Sequence, residues 1–322
     1  MNLTAGDFRQ IRNWMYRNAR PLDLARWKYH FEQKDAQGVL EALAAYQNED
    51  GGFGHALEAD SWNPVSAPIQ TATAAEILLE IGCKDWNHSI IQGILKYLDS
   101  GADMAENTWH YGVDSNNDYP HAPWWHTDSN STARSIFNPT AILSGFILLF
   151  ADRGSDLYER GLVIAKELTS LFMHDSAIEM HSLKCVLTLL KCIAEAQLEE
   201  QFAYGKLRDT AALQITVLLE REAGDWSGYS CRPSAFIRTP DSLGYEGNAA
   251  LLHRELDYLL EIRNSEGIWN LTWSWDGYER EFGISENWWK ACIVIQNLLL
   301  LRAFGRLDSV YALPEDETYS LS

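Results

Sequence analysis

Tyr46-Gln47-Asn48-Glu49-Asp50-Gly51-Gly52-Phe53-Gly54 decides how the chain is read. A helix-period run ends there, and the chain turns through glycines toward a second such run at 69–81. A helix C-terminus commonly leaves through a left-handed residue, which glycine adopts at little cost. The aromatic two positions on can pack against the helix end just left. Reduced to Gln47-x3-Gly51-x-Phe53, the pattern returns as Glu220-x3-Gly224-x-Trp226 and Arg263-x3-Gly267-x-Trp269, each after a helical run. One helix-turn unit has been used several times.

Helical periodicity dominates elsewhere, and hardly any stretch alternates with period two. Helices are expected over 3–18, 22–31, 35–47, 69–81, 89–98, 140–150, 156–172, 177–196, 207–221, 247–262 and 286–304, with an acidic frayed tail from about 314. Glycine-bearing breaks near Gly51, Gly101, Gly154, Gly205 and Gly267 give a quasi-period of about fifty, in the range of repeat architectures. The expected fold is all-α: a single α/α toroid of five to six helical hairpins spanning 1–322. Short turns and long loops alternate, so the long loops gather at one end, above the inner helices.

The 13 tryptophans sort onto that frame. Trp62, Trp109, Trp124, Trp125, Trp226, Trp269, Trp273 and Trp275 fall in the long loops, and Trp288 and Trp289 at the expected start of the last helix. Only Trp14, Trp27 and Trp86 lie elsewhere. Indoles crowd the mouth.

Composition bounds the chemistry. With 46% apolar residues, 322 residues can bury a large core. A net charge of −19 repels nucleic-acid phosphates. The longest apolar runs fall short of the roughly 18 residues of a membrane span. Residues 1–7 lack a basic and apolar leader, so a cytoplasmic location is expected. Five cysteines without C-x-x-C argue against a disulfide framework or zinc ribbon.

Three clusters carry candidate chemistry. His55, Glu58 and Asp60 form the catalytic candidate: a carboxyl removed from water keeps its proton and delivers it in an apolar site. The plainer reading is a loop whose acids cap the 69–81 helix. Trp109, His110, Asp114, His121, Trp124 and Trp125 sit on a long loop suited to a ligand-lining lid. His110, His121 and His126 have no standard metal spacing, so neither metal nor cofactor is expected. Trp273, Trp275, Asp276, Trp288 and Trp289 supply indole faces that would steer a cation or stack on a sugar, whereas Trp226 and Trp269 read as packing. Arg232 and Arg238, with Lys290, are the cations nearest the mouth and would hold a diphosphate if one bound.

On these residues the chain resembles the terpenoid cyclases and protein prenyltransferases built on an α/α toroid. Gln47-x3-Gly51-x-Phe53 is similar to that family's repeat. The stretch from His55 to Pro64, then Thr71 to Leu78, resembles the loop and inner helix of squalene–hopene cyclases. Trp288-Trp289-Lys290-Ala291 looks like a terminal inner helix. The resemblance implies acid-initiated carbocation chemistry on a small hydrophobic, isoprenoid-like substrate. The chain departs from it at the Asp-x-Asp-Asp acid motif, whose nearest counterpart is Glu58-Ala59-Asp60-Ser61. Asp175, His181 and Cys185 are the prenyltransferase zinc-ligand types without that family's spacing. Two alternatives stand beside it: a carbohydrate-active (α/α) barrel pairing Asp60 with Asp276 on a neutral saccharide, and a non-catalytic toroid that binds a small molecule or partner.

Overall fold

Eleven α-helices form among residues 2–128, 135–175, 177–222, 224 and 226–308, which are those the computed structural model describes. They are α1 (Ala5–Asn18), α2 (Pro21–Phe31), α3 (Gln37–Ala44), α4 (Pro68–Glu80), α5 (Ser89–Asp99), α6 (Thr140–Phe150), α7 (Asp156–Phe172), α8 (Met180–Glu195), α9 (Tyr204–Arg221), α10 (Tyr245–Glu261) and α11 (Glu279–Ala303). Among the described residues, strand structure beyond isolated bridges is confined to the hairpin β1 (Met104–Ala105) and β2 (Thr108–Trp109). The protein is all-α. The tail expected from 314 lies outside the described residues.

Local chemistry sets the helix starts. Thr4 and Asp7 form a reciprocal capping box on α1, and Ser155 and Glu179 cap α7 and α8. Pro21 and Pro68 open α2 and α4, where a missing N–H costs nothing. Two ends depart from the periodicity. Helix α3 stops at Ala44 because Gln47 pairs with Phe53 in an antiparallel bridge. Helix α11 begins at Glu279, seven residues ahead of 286, after Gly277 and a left-handed Tyr278. Trp288 and Trp289 therefore sit inside α11 rather than at its start.

The turn at Gln47 is tight. Gln47 Nε2 donates to Gly51 O at 2.9 Å and to Ile90 O at 3.0 Å. Gly51 has φ +96°, and a Cβ there would lie 2.0 Å from Gly93 O of α5. The third copy repeats the geometry. Asn48 N donates to Gly52 O, as Asn264 N donates to Ile268 O, and Gly267 has φ +83°. Phe53 and Trp269 are both fully buried. In the second copy, the residues on either side of Gly224 lie outside the described residues.

Helix α6 is apolar on all sides and almost wholly buried, packed against α4, α5, α7 and α8. Burying Ile142, Leu143, Phe146, Ile147 and Leu148 contributes about 1.5–3 kcal/mol each before entropy is subtracted. Helix α8 continues onto α9, while α2 packs on α3 and α11, and α1 on α11. Leu3 pairs with Leu307, with Leu3 N donating to Arg306 O at 2.8 Å. The two ends of the described chain are thus joined.

Candidate functional site

The loop between α3 and α4 is held at nearly every polar group. Arg20 donates to Ala56 O and Leu57 O at 2.9 and 3.1 Å. Gln70, on α4, accepts from Leu57 N and donates to Asn63 O, both at 2.9 Å. Ser61 pairs with His121, Ala122 N donates to Asp60 O at 2.8 Å, and Trp62 N to Pro120 O at 2.9 Å. Residues 120–122 are thus pinned along the 60–62 segment. Hydrogen bonds this dense fix the side chains between them.

Glu58 and Asp60 point inward; Asp60 is 3% exposed and Glu58 8%. They do not cap α4, which opens on Ala67 and Pro68. Asp60 N donates to Glu58 Oε2 at 2.9 Å. Trp275 Nε1 donates to Asp60 Oδ1 at 2.8 Å. Burial pushes the Asp60 carboxyl up to about 6; the Trp275, Trp289 and Trp273 indoles oppose that rise without cancelling it. The Trp273 and Trp289 N–H groups are buried and reach no hydrogen-bond geometry with any partner among the described residues. They act on the carboxyl as nearby dipoles. Burial and the Asp60 charge together hold Glu58 protonated well above the carboxylate range, against weaker opposition from Trp125 and Arg20. Glu58 thus keeps its proton while Asp60 is the carboxyl that gives one up near pH 6.

Aromatic rings surround it. Trp62, Trp124, Trp125 and Trp275 belong to one small apolar cluster with Tyr111 and Phe282, separate from the main core. Trp62 stacks on Trp288 at 5.6 Å and donates Nε1 to Ser285 Oγ at 2.8 Å. The Arg20 guanidinium lies 5.5 Å from the Trp288 ring centroid. Both are therefore occupied by the protein's own groups. Trp273 meets Trp289 edge-on at 5.4 Å, and Tyr229 meets Trp273 edge-on at 5.7 Å. Trp273 and Trp289 are half-buried.

The remaining candidates have contacts of their own. His55 is exposed, left-handed at φ +59°, and paired with Asn48 Oδ1. Trp109 is fully buried in the main core beside Thr140. His110 joins Asp103 O through its backbone at 2.8 Å, and Asp114 accepts from Thr127 Oγ1 at 3.2 Å. His121 stacks on His126, with 3.2 Å between Nε2 and Nδ1. Arg232 donates to Trp226 O and lies over Tyr258. Arg238 donates to Ser234 O and Gln296 O. Lys290 pairs with Glu286 at 2.8 Å. Asp276 is exposed next to Trp275.

Sequence reasoning missed Arg20, Ser285 and Tyr229. Arg20, Asp23 and Arg26 recur every three residues on α2, a spacing that puts all three on one face. Asp23 bridges both arginines at 2.6 and 3.0 Å, and Arg26 continues to Glu80 of α4 at 2.6 Å. Among the described residues no three His, Cys, Asp or Glu side chains gather as a metal site, and no helix is long and apolar enough to cross a membrane. Two surface hollows, of about 360 Å³ by Trp226 and Arg254 and about 440 Å³ by Pro21 and Lys34, share no residue with the carboxyl pair. Compared with protein-family models, curated proteins and solved structures, the chain gives no significant match.

Proposed function

We propose that the helices close into an α/α toroid and that Asp60, at its mouth, is the general acid of a reaction on a small apolar, isoprenoid-like substrate. Ring closure is supported by the contacts that carry α4 to α6 to α8, and by α11 returning to α1 and α2. The chemistry rests on one observation: a buried carboxyl, raised to about 6, flanked by the half-open indoles of Trp273 and Trp289. A neutral Asp60 donates its proton to a carbon–carbon double bond. The resulting cation faces indole quadrupoles, each contributing about 0.5–2 kcal/mol of attraction. Trp275 accompanies the change by donating to the carboxylate left behind. Glu58 stays protonated beside it, so a second negative charge does not accumulate.

A saccharide reading draws on a different observation. Glu76, His181 and Lys184 are polar and solvent-accessible on helices whose other faces are packed. Aromatic platforms beside polar groups suit a sugar as well. Incubation with unsaturated isoprenoids and, separately, with neutral oligosaccharides, followed by mass-spectrometric product analysis, separates the two. Cyclised or isomerised isoprenoid products that vanish in Asp60→Asn support the first reading. Shortened oligosaccharides favour the second, and turnover that survives Asp60→Asn removes Asp60 from the mechanism.

A further inference from the structure

Tyr229 stands between α9 and α10, on the stretch that leads from Trp226 to Ser234. Its hydroxyl lies 2.6 Å from Nε2 of His181, in the first turn of α8. Its ring meets Trp273 edge-on at 5.7 Å, and Trp273 meets Trp289 at 5.4 Å. The phenol is thus one ring removed from the indoles that act on Asp60.

Other bonds already hold this stretch in place. Cys231 N donates to Glu222 Oε2 at 2.8 Å, Ser234 N donates to Glu255 Oε2 at 2.7 Å, and Tyr258 Oη donates to Trp226 O at 3.0 Å. Tyr229 itself is 57% exposed, and His181 is exposed as well. A hydrogen bond between two accessible side chains contributes only about 0.5–1.5 kcal/mol. Its geometry suits proton transfer better than anchorage, because a hydroxyl bonded to an imidazole can take a proton and pass its own on. Desolvation first, then the Lys184 ammonium, holds the His181 imidazole below its ordinary range, so near pH 7 it is a neutral acceptor. Glu179 bonds to His181 N at 2.7 Å, and its carboxylate favours the imidazolium once formed.

Resting on the isoprenoid reading above, we propose that Tyr229, backed by His181, is the base that ends the reaction Asp60 begins. Asp60 adds its proton to one alkene carbon, and the double-bond electron pair forms the new C–H bond. A C–H bond beside the resulting cation then breaks. Its electron pair becomes a new C=C bond, and its proton goes to the Tyr229 oxygen. A neutral hydroxyl is base enough, since a hydrogen next to a carbocation is strongly acidic. Tyr229 hands its own proton to His181 Nε2, the imidazolium releases one to water, and solvent returns one to Asp60. No atom is added, so the product is an unsaturated isomer or ring and not an alcohol.

Farnesol and squalene, each incubated with the full chain in D2O and followed by mass spectrometry, test the assignment. The wild type yields unsaturated isomers carrying one deuterium. Tyr229→Phe keeps the ring against Trp273 and removes the oxygen. Water then takes the cation, and the ratio of isomer to alcohol falls at least about tenfold, where positioned acid–base groups supply about 10²–10⁴-fold. His181→Gln keeps an acceptor for the phenol that cannot carry the proton, so the same fall there marks proton uptake rather than orientation. The ratio belongs to each turnover and does not depend on how much of a variant folds. An unchanged ratio in either variant overturns the assignment of that residue and leaves the acid at Asp60 standing. No deuterated product from either probe with the wild type overturns both.

Discussion

Trp275 and Asp60 stand 215 positions apart in the chain and 2.8 Å apart in space, joined by an indole N–H to a carboxylate oxygen. That bond favours the ionised form of an acid that burial otherwise holds neutral. Replacing Trp275 with Phe keeps most of the packing against Phe282 and removes the donor. A hydrogen bond to a charged group is worth about 1.5–3 kcal/mol, so the Asp60 midpoint moves upward by about one to two pH units. Carboxyl titration in Trp275→Phe checks this, and an unmoved midpoint means the bond is not the one that matters.

Asp60 also sets a stability balance. Its folded-state pKa lies above its unfolded value, so the folded protein binds the proton more tightly and stability falls as pH rises from about 4 to about 6. Above that window the wild type carries the full cost of a buried carboxylate. Asp60→Asn avoids it and gains about 1–3 kcal/mol at pH 7.5, with the advantage gone below about pH 4. Urea unfolding at the two pH values measures both arms. Activity lost alongside stability gained is the pattern of a strained functional group.

Much of the frame was legible in the sequence. Helices α6 and α7 fall on their expected residues, α6 as an apolar run between Pro139 and Ala151 and α7 because apolar periodicity and the Ser155 cap agree. Glu58 and Asp60 stood out as acids in a glycine-rich loop, and the indoles of Trp273, Trp275 and Trp289 do meet at Asp60. Arg20 and Ser285 were not legible, since nothing local says that a helix-end arginine crosses to Ala56 O or that a serine receives Trp62. His55 and Trp109 misled for a related reason. Residue type and loop position carry no sign of the direction a side chain takes, and one turns out to solvent while the other enters the core. The early start of α11 was hidden because Glu279 to Ile284 has no apolar stripe of its own.

Glu80 shows the opposite ionisation from Asp60. Burial alone would raise its carboxyl, but Arg26 and His30 outweigh burial and hold it down at about 2. Its contribution is present above the ordinary pKa near 4.5 and is lost as pH falls toward 2. Glu80→Gln leaves Arg26 with Asp23 as its one charged partner among the described residues and costs about 3 kcal/mol at neutral pH, since breaking a buried pair strands its partner. The deficit narrows on acidification below about pH 4. Thermal melts across that range test it.

The two left-handed turns differ in their tolerance of a side chain. Gly51→Ala drives a Cβ to 2.0 Å from the Gly93 carbonyl, whereas Gly267→Ala meets the flexible end of Gln10 at 3.0 Å. Both incur the backbone cost of about 1–2 kcal/mol for a left-handed alanine. Only Gly51→Ala must also move α5, so it fails to fold or loses at least about 3 kcal/mol more than Gly267→Ala. Matched denaturation of the two variants decides whether the Gln47 turn is the tighter of the pair.

Asp60 is expected to hold its proton to near neutrality beside the indoles of Trp273, Trp275 and Trp289. Carbon-13 NMR of aspartate-labelled protein, with the Asp60 resonance assigned by its loss in Asp60→Asn, follows that carboxyl directly. The predicted midpoint is about 6; a midpoint near 3.8, the ordinary aspartate value, would leave no acid in this site to start the reaction.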